Sequence, residues 1–428
     1  MIPRFAIVLL LCGPALARDW YVSIERGKGK LGTMEQPAKD LGNIVELLAP
    51  GDVVHIAEGI YLGRGECGSD VIKVPVSILG GYAADFSSRD PWGKHRTVLA
   101  GNNGSANWVA TPRLHLDLNL YRQSETPAIV VDGVIIDHAG RNHYAEESRL
   151  KLVRKANPKS GANPTPDQGA LVITASKTNV GAWDISVRNC VVLNAAPTQG
   201  ALAVSGHKDS RISLVNNLIM NNTGVGIFLG SKFSPSDKKG LPAFHLENNT
   251  VLFTWKYDPI AQSYSGNAVE VDGNLSATLK GNVLAFADRF GLNNAKKARL
   301  LLQNNVITGC VVADYLEFST AIALDDLEDE AGMLDAASAG NLGKAISVPV
   351  DKGWSQQYAS RVLVDRNAME ADILVQATRA NELRAMLGLP LQAGTVDGPE
   401  SPVWLHAMTL EQALACAIPY HGMGARKP

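Results

Sequence analysis

The sequence predicts an all-β fold: a single-stranded right-handed parallel β-helix with an N-terminal capping helix and a partly helical C-terminal cap. Three observations carry that expectation. Five segments repeat one pattern, SVRNCVVLN (186–194), SLVNNLIMN (213–221), HLENNTVLF (245–253), TLKGNVLAF (278–286) and LLQNNVITG (301–309). Each is a short apolar strand, a small polar pair and a second apolar strand, which is self-similarity of the kind that marks a coil of stacked repeats. Between them lies a second recurrent run, GALVITAS, GALAVSGH, GVGIFLGS and GNAVEVDG, so each repeat holds about three strands. Beyond residue 320 the alternation stops, and acidic and helix-forming stretches take over.

In chain order, Arg4 precedes the apolar run FAIVLLLC, and Ala15-Leu16-Ala17 offers small residues where a signal peptidase would cut. Residues 1–17 therefore read as a signal peptide, and the mature protein is expected to be secreted or periplasmic. No apolar run is long enough to span a bilayer. Four of the five cysteines lie past the cleavage point, Cys67, Cys190, Cys310 and Cys416, too few for a disulfide framework in 428 residues. Cys190 and Cys310 fall four coils apart, and Cys67 and Cys416 are expected at opposite ends of the rod. No CxxC or His/Cys cluster argues for zinc. A formal charge of −2 gives no global field for nucleic acid or an anionic membrane. The chain is expected to be a monomer.

Residues 18–320 are assigned to the β-helix and 321–428 to its last coils and C-terminal cap. Within the helix, Cys190, Asn217, Asn249, Asn282 and Asn305 hold equivalent places. Asparagine tolerates left-handed backbone angles, and its amide can bond to the same amide one layer, ~4.8 Å, away. A buried asparagine ladder is the expected result. Aligning the strands of GALVITAS and its relatives puts Val172, Ala203, Ile227, Val269, Leu292 and Val312 inward. Thr174, Ser205, Leu229, Val271, Asn294 and Asp314 form the next inward column. Phe228, Glu270, Asp272 and Asn293 then point outward on neighbouring coils.

The segment GTMEQPAKDLGNIVELLAPGDVVHIAEGIY (32–61) resembles the opening of β-helix repeat proteins of the pectin-lyase-like superfamily. LGGYAADFSSRDPWGKHRTVLAGN (79–102) continues the resemblance, which spans roughly residues 20 to 320. It implies the fold, and a groove in which an extended sugar chain is held. Lyases, hydrolases, epimerases and non-catalytic adhesins share that superfamily. The DPH-type signature of its alginate epimerases does not occur, the nearest string being IIDHAG (135–140), and neither does the Asn-Thr-Asp signature of its polygalacturonase-type hydrolases.

Three insertions flank the same sheet: 141–168, 231–243 and 254–265. Long loops on a compact scaffold are usual carriers of function. Arg141, His143, Tyr144, His207, Phe228, Lys232, Tyr257 and Asn293 are the expected substrate-binding residues, with Trp255 and Tyr264 offering further flat faces. The basic stretch 149–159 suits an acidic, uronate-containing polysaccharide, though such a run equally suits a solvated loop.

Glu270 and Asp272 are the expected catalytic pair. Residues i and i+2 of a strand share a face, with Cα atoms about 6.6 Å apart. Carboxyl separations near 5–5.5 Å suit retaining glycosidases and roughly 6.5–9.5 Å inverting ones, so the spacing admits both. For β-elimination, Lys256 is the candidate base, with Lys232, His207 and Arg289 in reserve. No cofactor is dictated; Ca²⁺ is the candidate, held by Glu270, Asp272 and Asp258. The same acids could instead do no more than keep a strand solvated. The expectation is a protein that binds and cleaves a polysaccharide by hydrolysis or elimination; the competing one is a non-catalytic glycan-binding, adhesin or envelope protein.

Overall fold

The computed structural model describes residues 17–65, 68–101, 111–122, 126–139, 169–176, 181–197, 199–235, 239–256, 265–296, 298–359, 369–392 and 407–428. Its strands lie in three long sheets of nine, eight and nine strands, parallel except at one edge. Through the body of the chain, successive strands visit the first, second and third sheet in turn. Asp184–Arg188, Val191–Leu193 and Gly200–Gly206 make one such coil, and Arg211–Val215 starts the next. Each sheet thus grows one strand per coil, which is the topology of a parallel β-helix.

Side chains at alternate strand positions fill the coil interior. In the third sheet the inward row is Leu114, Leu171, Leu202, Ile227, Val269, Leu292 and Tyr315, all fully buried. This corrects the expected register in three coils. Val172 and Ala203 pair with Phe228 on the outer row, and Thr174 and Ser205 align with Gly230 and Asp272, also outside. Val172 and Ala203 are apolar though outward, so alternation in those strands has no unique phase, and a one-residue slip turns every side chain over. In the last coil Tyr315, not Val312, opposes Leu292, while Asp314 is buried against Arg379.

The ladder forms at the corner between the first and second sheets. Asn217, Asn249, Asn282, Asn305 and Asn341 stack, each Nδ2 donating to the Oδ1 of the next at 2.9–3.0 Å. The same Nδ2 also donates to a backbone carbonyl, as from Asn249 to Leu214 at 2.8 Å. Cys190 ends the ladder: its backbone N–H donates to Asn217 Oδ1 at 3.0 Å, and its thiol faces Val131 O at 3.6 Å. The residue before each ladder position turns the corner with positive φ: Asn189 52°, Asn216 56°, Asn248 52°, Gly281 66° and Asn304 52°. These are the small polar pairs of the repeat. One member bends the chain and the other fills the bend.

The two ends are built differently. In place of a capping α-helix, the N-terminal region carries two single 3₁₀ turns, Leu41–Asn43 and Val45–Leu47, the first capped by Asp40 Oδ1 accepting from Gly42 N–H at 2.9 Å. They bury Leu41, Ile44 and Val45 in the main core. At the other end, residues 334–342 add a last irregular coil, bridging Leu300, Gln303 and Val306. Among the described residues from 327 onward there are four helices: α1 (Leu327–Glu330), α2 (Lys352–Ala359), α3 (Glu370–Met386) and α4 (Leu410–Ala415). From α2 onward the described residues pack along the outer face of the second sheet.

That face is apolar. Val191, Leu193, Leu218, Met220, Leu252 and Ala285 point outward there and are buried under Trp354, Leu383, Met408, Ala413 and Tyr420. Phe253 and Phe286, both at positive φ, stack at 5.0 Å, with Trp354 edge-on to Phe253 at 4.8 Å. Backbone bonds clasp the segment in place: Met408 N–H to Asn194 Oδ1 at 2.9 Å, Ala425 N–H to Thr250 Oγ1 at 2.8 Å, and Arg426 N–H to Asn216 Oδ1 at 2.7 Å. Gly424 sits so close that a Cβ there would lie 2.6 Å from Thr250 Oγ1. Glu411 pairs with Arg96 at 2.8 Å, so Cys416 does not sit at the far end of the rod. Cys190, Cys310 and Cys416 are free and buried, and burial pushes each thiol up to about 12. Among the described residues no helix is long and apolar enough to cross a membrane.

Candidate functional site

The outer face of the third sheet is built on the coils that follow. Its central row runs His115, Val172, Ala203, Phe228, Glu270, Asn293 and Leu316, one residue per coil. Beside it run Asp117, Thr174, Ser205, Gly230 and Asp272. Phe228, Glu270 and Asn293 are therefore direct neighbours on three successive strands, ~4.8 Å apart. Asp272 lies on the same strand and the same face as Glu270.

Glu270 is held in place. Its Oε2 accepts from Asn267 Nδ2 at 2.8 Å and Asn293 Nδ2 at 3.2 Å, with Ser265 Oγ at 3.5 Å. Two amide donors on one oxygen suit an ionised carboxylate and fix its rotamer. Among the described residues nothing hydrogen-bonds Oε1 or the Asp272 carboxylate, and both acids are half-exposed. Phe228 is seated by two glycines: a Cβ at Gly230 would fall 2.9 Å from its ring edge, and one at Gly200 would fall 2.5 Å from its own Cβ. The ring lies along its strand over Gly230, whose partner on the next coil is Asp272. The result is an aromatic surface beside two carboxylates.

His207 follows Gly200–Gly206 at the corner leading to the first sheet. Its ring packs on Phe233 at 5.1 Å, and burial lowers its pKa. Lys232 is exposed in the same corner, where Asn274 Nδ2 donates to Ser234 Oγ at 3.1 Å and ties the insertion to the next coil. His115 bonds Thr174 Oγ1 at 2.8 Å; burial lowers its pKa, and Asp117 opposes that shift.

Other expected residues land elsewhere. Lys256, proposed as a base, is 6% exposed at the corner after the second sheet, its backbone N–H donating to Asp288 Oδ2 at 2.8 Å. Trp255 is 1% exposed, with Nε1 donating to Asn221 Oδ1 at 2.9 Å, so its ring is packing under the C-terminal segment and no sugar can lie on it. Arg289 stands further along the coil beside Phe290, 5.0 Å from that ring. Arg141, His143, Tyr144, Tyr257, Asp258, Tyr264 and the basic stretch 149–159 lie outside the described residues. Among the described residues no group of three His, Cys, Asp or Glu is arranged to hold a metal.

Asn267 is the positioning residue that sequence reasoning missed. Strand alternation puts positions 267 and 270 on opposite faces. Asn267 instead sits where the chain enters the sheet, next to Gly266 at φ 137°, and from there its amide reaches Glu270. Thr174 and Ser205 were missed through the register slip.

No family model matches the chain, and no curated protein does. Two solved structures are similar at low level. One is a rhamnogalacturonan lyase, at 10% identity and TM-score 0.23, covering 95% of this chain and 99% of that one. The other is XylC in complex with xylose, at 11% identity and TM-score 0.19, covering 68% of this chain and 69% of that one. At these TM-scores neither superposition bears on function.

Proposed function

We propose that this is a secreted or periplasmic glycan-binding enzyme that hydrolyses a polysaccharide on the outer face of the third sheet. One observation carries the reading: Phe228, Glu270 and Asn293 stand in line on successive coils, with Glu270 oriented by Asn267 and Asn293 and with Asp272 alongside. A sugar chain lying across the strands meets an apolar ring, two carboxylates and an amide in turn. Glu270, fixed by amide donors, serves as base or nucleophile, and Asp272 as the acid that protonates the leaving oxygen. Burial removes Lys256 as an elimination base; Lys232 and His207, at the corner beside this face, are the bases that β-elimination would use instead.

The test is a polysaccharide panel on the mature protein, with and without Ca²⁺. New reducing ends and the ultraviolet absorbance of an unsaturated product are followed together. Hydrolysis gives the first without the second, and Glu270→Gln should lower turnover by roughly 10²–10⁴-fold while binding persists. Unsaturated product would transfer the chemistry to an elimination base. Binding without turnover would make the face a glycan-holding surface only.

A further inference from the structure

Two strands beyond Glu270 on the outer row stands Leu316, about 10 Å along the coil axis. There the face opens into a cleft of about 790 Å³, the size of a small-molecule site. Phe290, Ala313 and Leu316 line it from the sheet. Among the described residues the sheet stops here: Thr320–Ile322 pairs antiparallel with Ala313–Glu317 and is its last strand. Ser319, Thr320 and Ala321 line the cleft from this terminal hairpin, and Asp372, Val375 and Gln376 line it from α3. The open row that starts at His115 therefore ends in a walled recess.

The charges in the recess are unbalanced. Arg379 is committed: its Nε donates to Cys310 O at 2.6 Å and its guanidinium pairs with buried Asp314. Among the other described lining residues one cation, Arg289, stands with three carboxylates, Asp326, Glu330 and Asp372, an excess of two negative charges. Glu270 and Asp272 add to the same sign along the row. A uronate carboxylate entering this cleft would face carboxylates at close range, whereas a neutral sugar offers hydroxyls to them and to Gln376, Ser319 and Thr320.

We infer that the cleft is the terminal subsite of the groove and seats the end unit of an uncharged sugar chain. This rests on the glycan reading above and narrows its substrate to neutral polysaccharides attacked near one end. The coil spacing is close to the length of one pyranose unit, so about two units separate Glu270 from the cleft, and short oligosaccharides are the expected product.

The test uses the mature protein with linear neutral hexaoses (xylan-, mannan- and glucan-derived) and a galacturonate hexaose. Binding is read by calorimetry and products by chromatography. Val375 is 54% exposed, so Val375→Trp fills the cleft without disturbing the core. The expected result is that one neutral hexaose binds at least tenfold more tightly than the galacturonate. Val375→Trp should weaken that binding at least tenfold at an unchanged melting temperature, and Asp372→Asn should narrow the neutral-to-uronate gap. If Val375→Trp changes neither affinity nor product length while Glu270→Gln abolishes turnover, the groove stands and the terminal subsite is wrong. Tighter binding of the galacturonate overturns the charge argument. If no hexaose binds at all, the glycan reading fails and the cleft assignment falls with it.

Discussion

The outer faces of the second and third sheets are built by the same coils, yet among the described residues one is covered and the other open. Inward, both present Leu, Ile and Val to one core. Outward, the second sheet carries Leu193, Met220, Leu252 and Phe286, and the third carries Ala203, Phe228, Glu270 and Asn293. Burial stabilises by roughly 25 cal/mol for each Å² of apolar surface, so the first set drives the C-terminal segment onto its face. The second set would leave carboxylates unpaired under such a cover, which costs more than the apolar contacts return. Outward composition therefore decides which face the C-terminal segment covers.

Substitutions can probe that difference. The largest effect is expected at Phe286, stacked between Phe253 and the C-terminal helices: Phe286→Ala should cost about 3–5 kcal/mol by urea unfolding. Phe228→Ala, the same change on the open face, should cost well under ~1 kcal/mol and instead weaken glycan binding. Equal costs for the two phenylalanines would contradict the distinction. Next comes the frame that both faces share. Asn249→Ala removes the acceptor of two buried donors, the Asn217 backbone N–H and Nδ2, and should cost about 2–3 kcal/mol.

A smaller effect is expected on the first sheet at Asp132. Burial works to raise its pKa, but hydrogen bonds from Arg89, Asn189 and Arg188 outweigh that and hold the carboxyl below its ordinary value. A carboxylate with a depressed folded pKa stabilises the fold above its unfolded value, and that contribution is lost as pH falls through the folded value. Asp132→Asn should therefore cost about 1–2 kcal/mol at neutral pH, with the gap to wild type closing below pH ~4. A gap that widens on acidification would show that those hydrogen bonds do not hold the charge.

The ladder was legible because one residue type recurs at one corner, where both its backbone angle and its side chain are needed. Asn217, Asn249, Asn282 and Asn305 could be read directly, and only Asn341, in an irregular coil, was missed. The register of the third sheet was less legible because Val172 and Ala203 are apolar on the solvent side. Glu270 and Asp272 were visible as a pair, but the bond from Asn267 depends on the corner at Gly266, which alternation does not describe. The covering of the second sheet left a signal that went unread. Strands such as Thr250–Trp255 and Val283–Ala287 are apolar at nearly every position, the pattern of a sheet buried on both sides. Something in the chain had to lie on them.

The most direct measurement is a crystal structure of the Glu270→Gln variant soaked with the hexaose that the wild type binds best. The account predicts sugar density across the third sheet, one ring over Phe228, a glycosidic oxygen beside residue 270 and Asp272, and the chain directed toward Leu316. Density on the first sheet, or anywhere that leaves Phe228 and Asn293 bare, would contradict it.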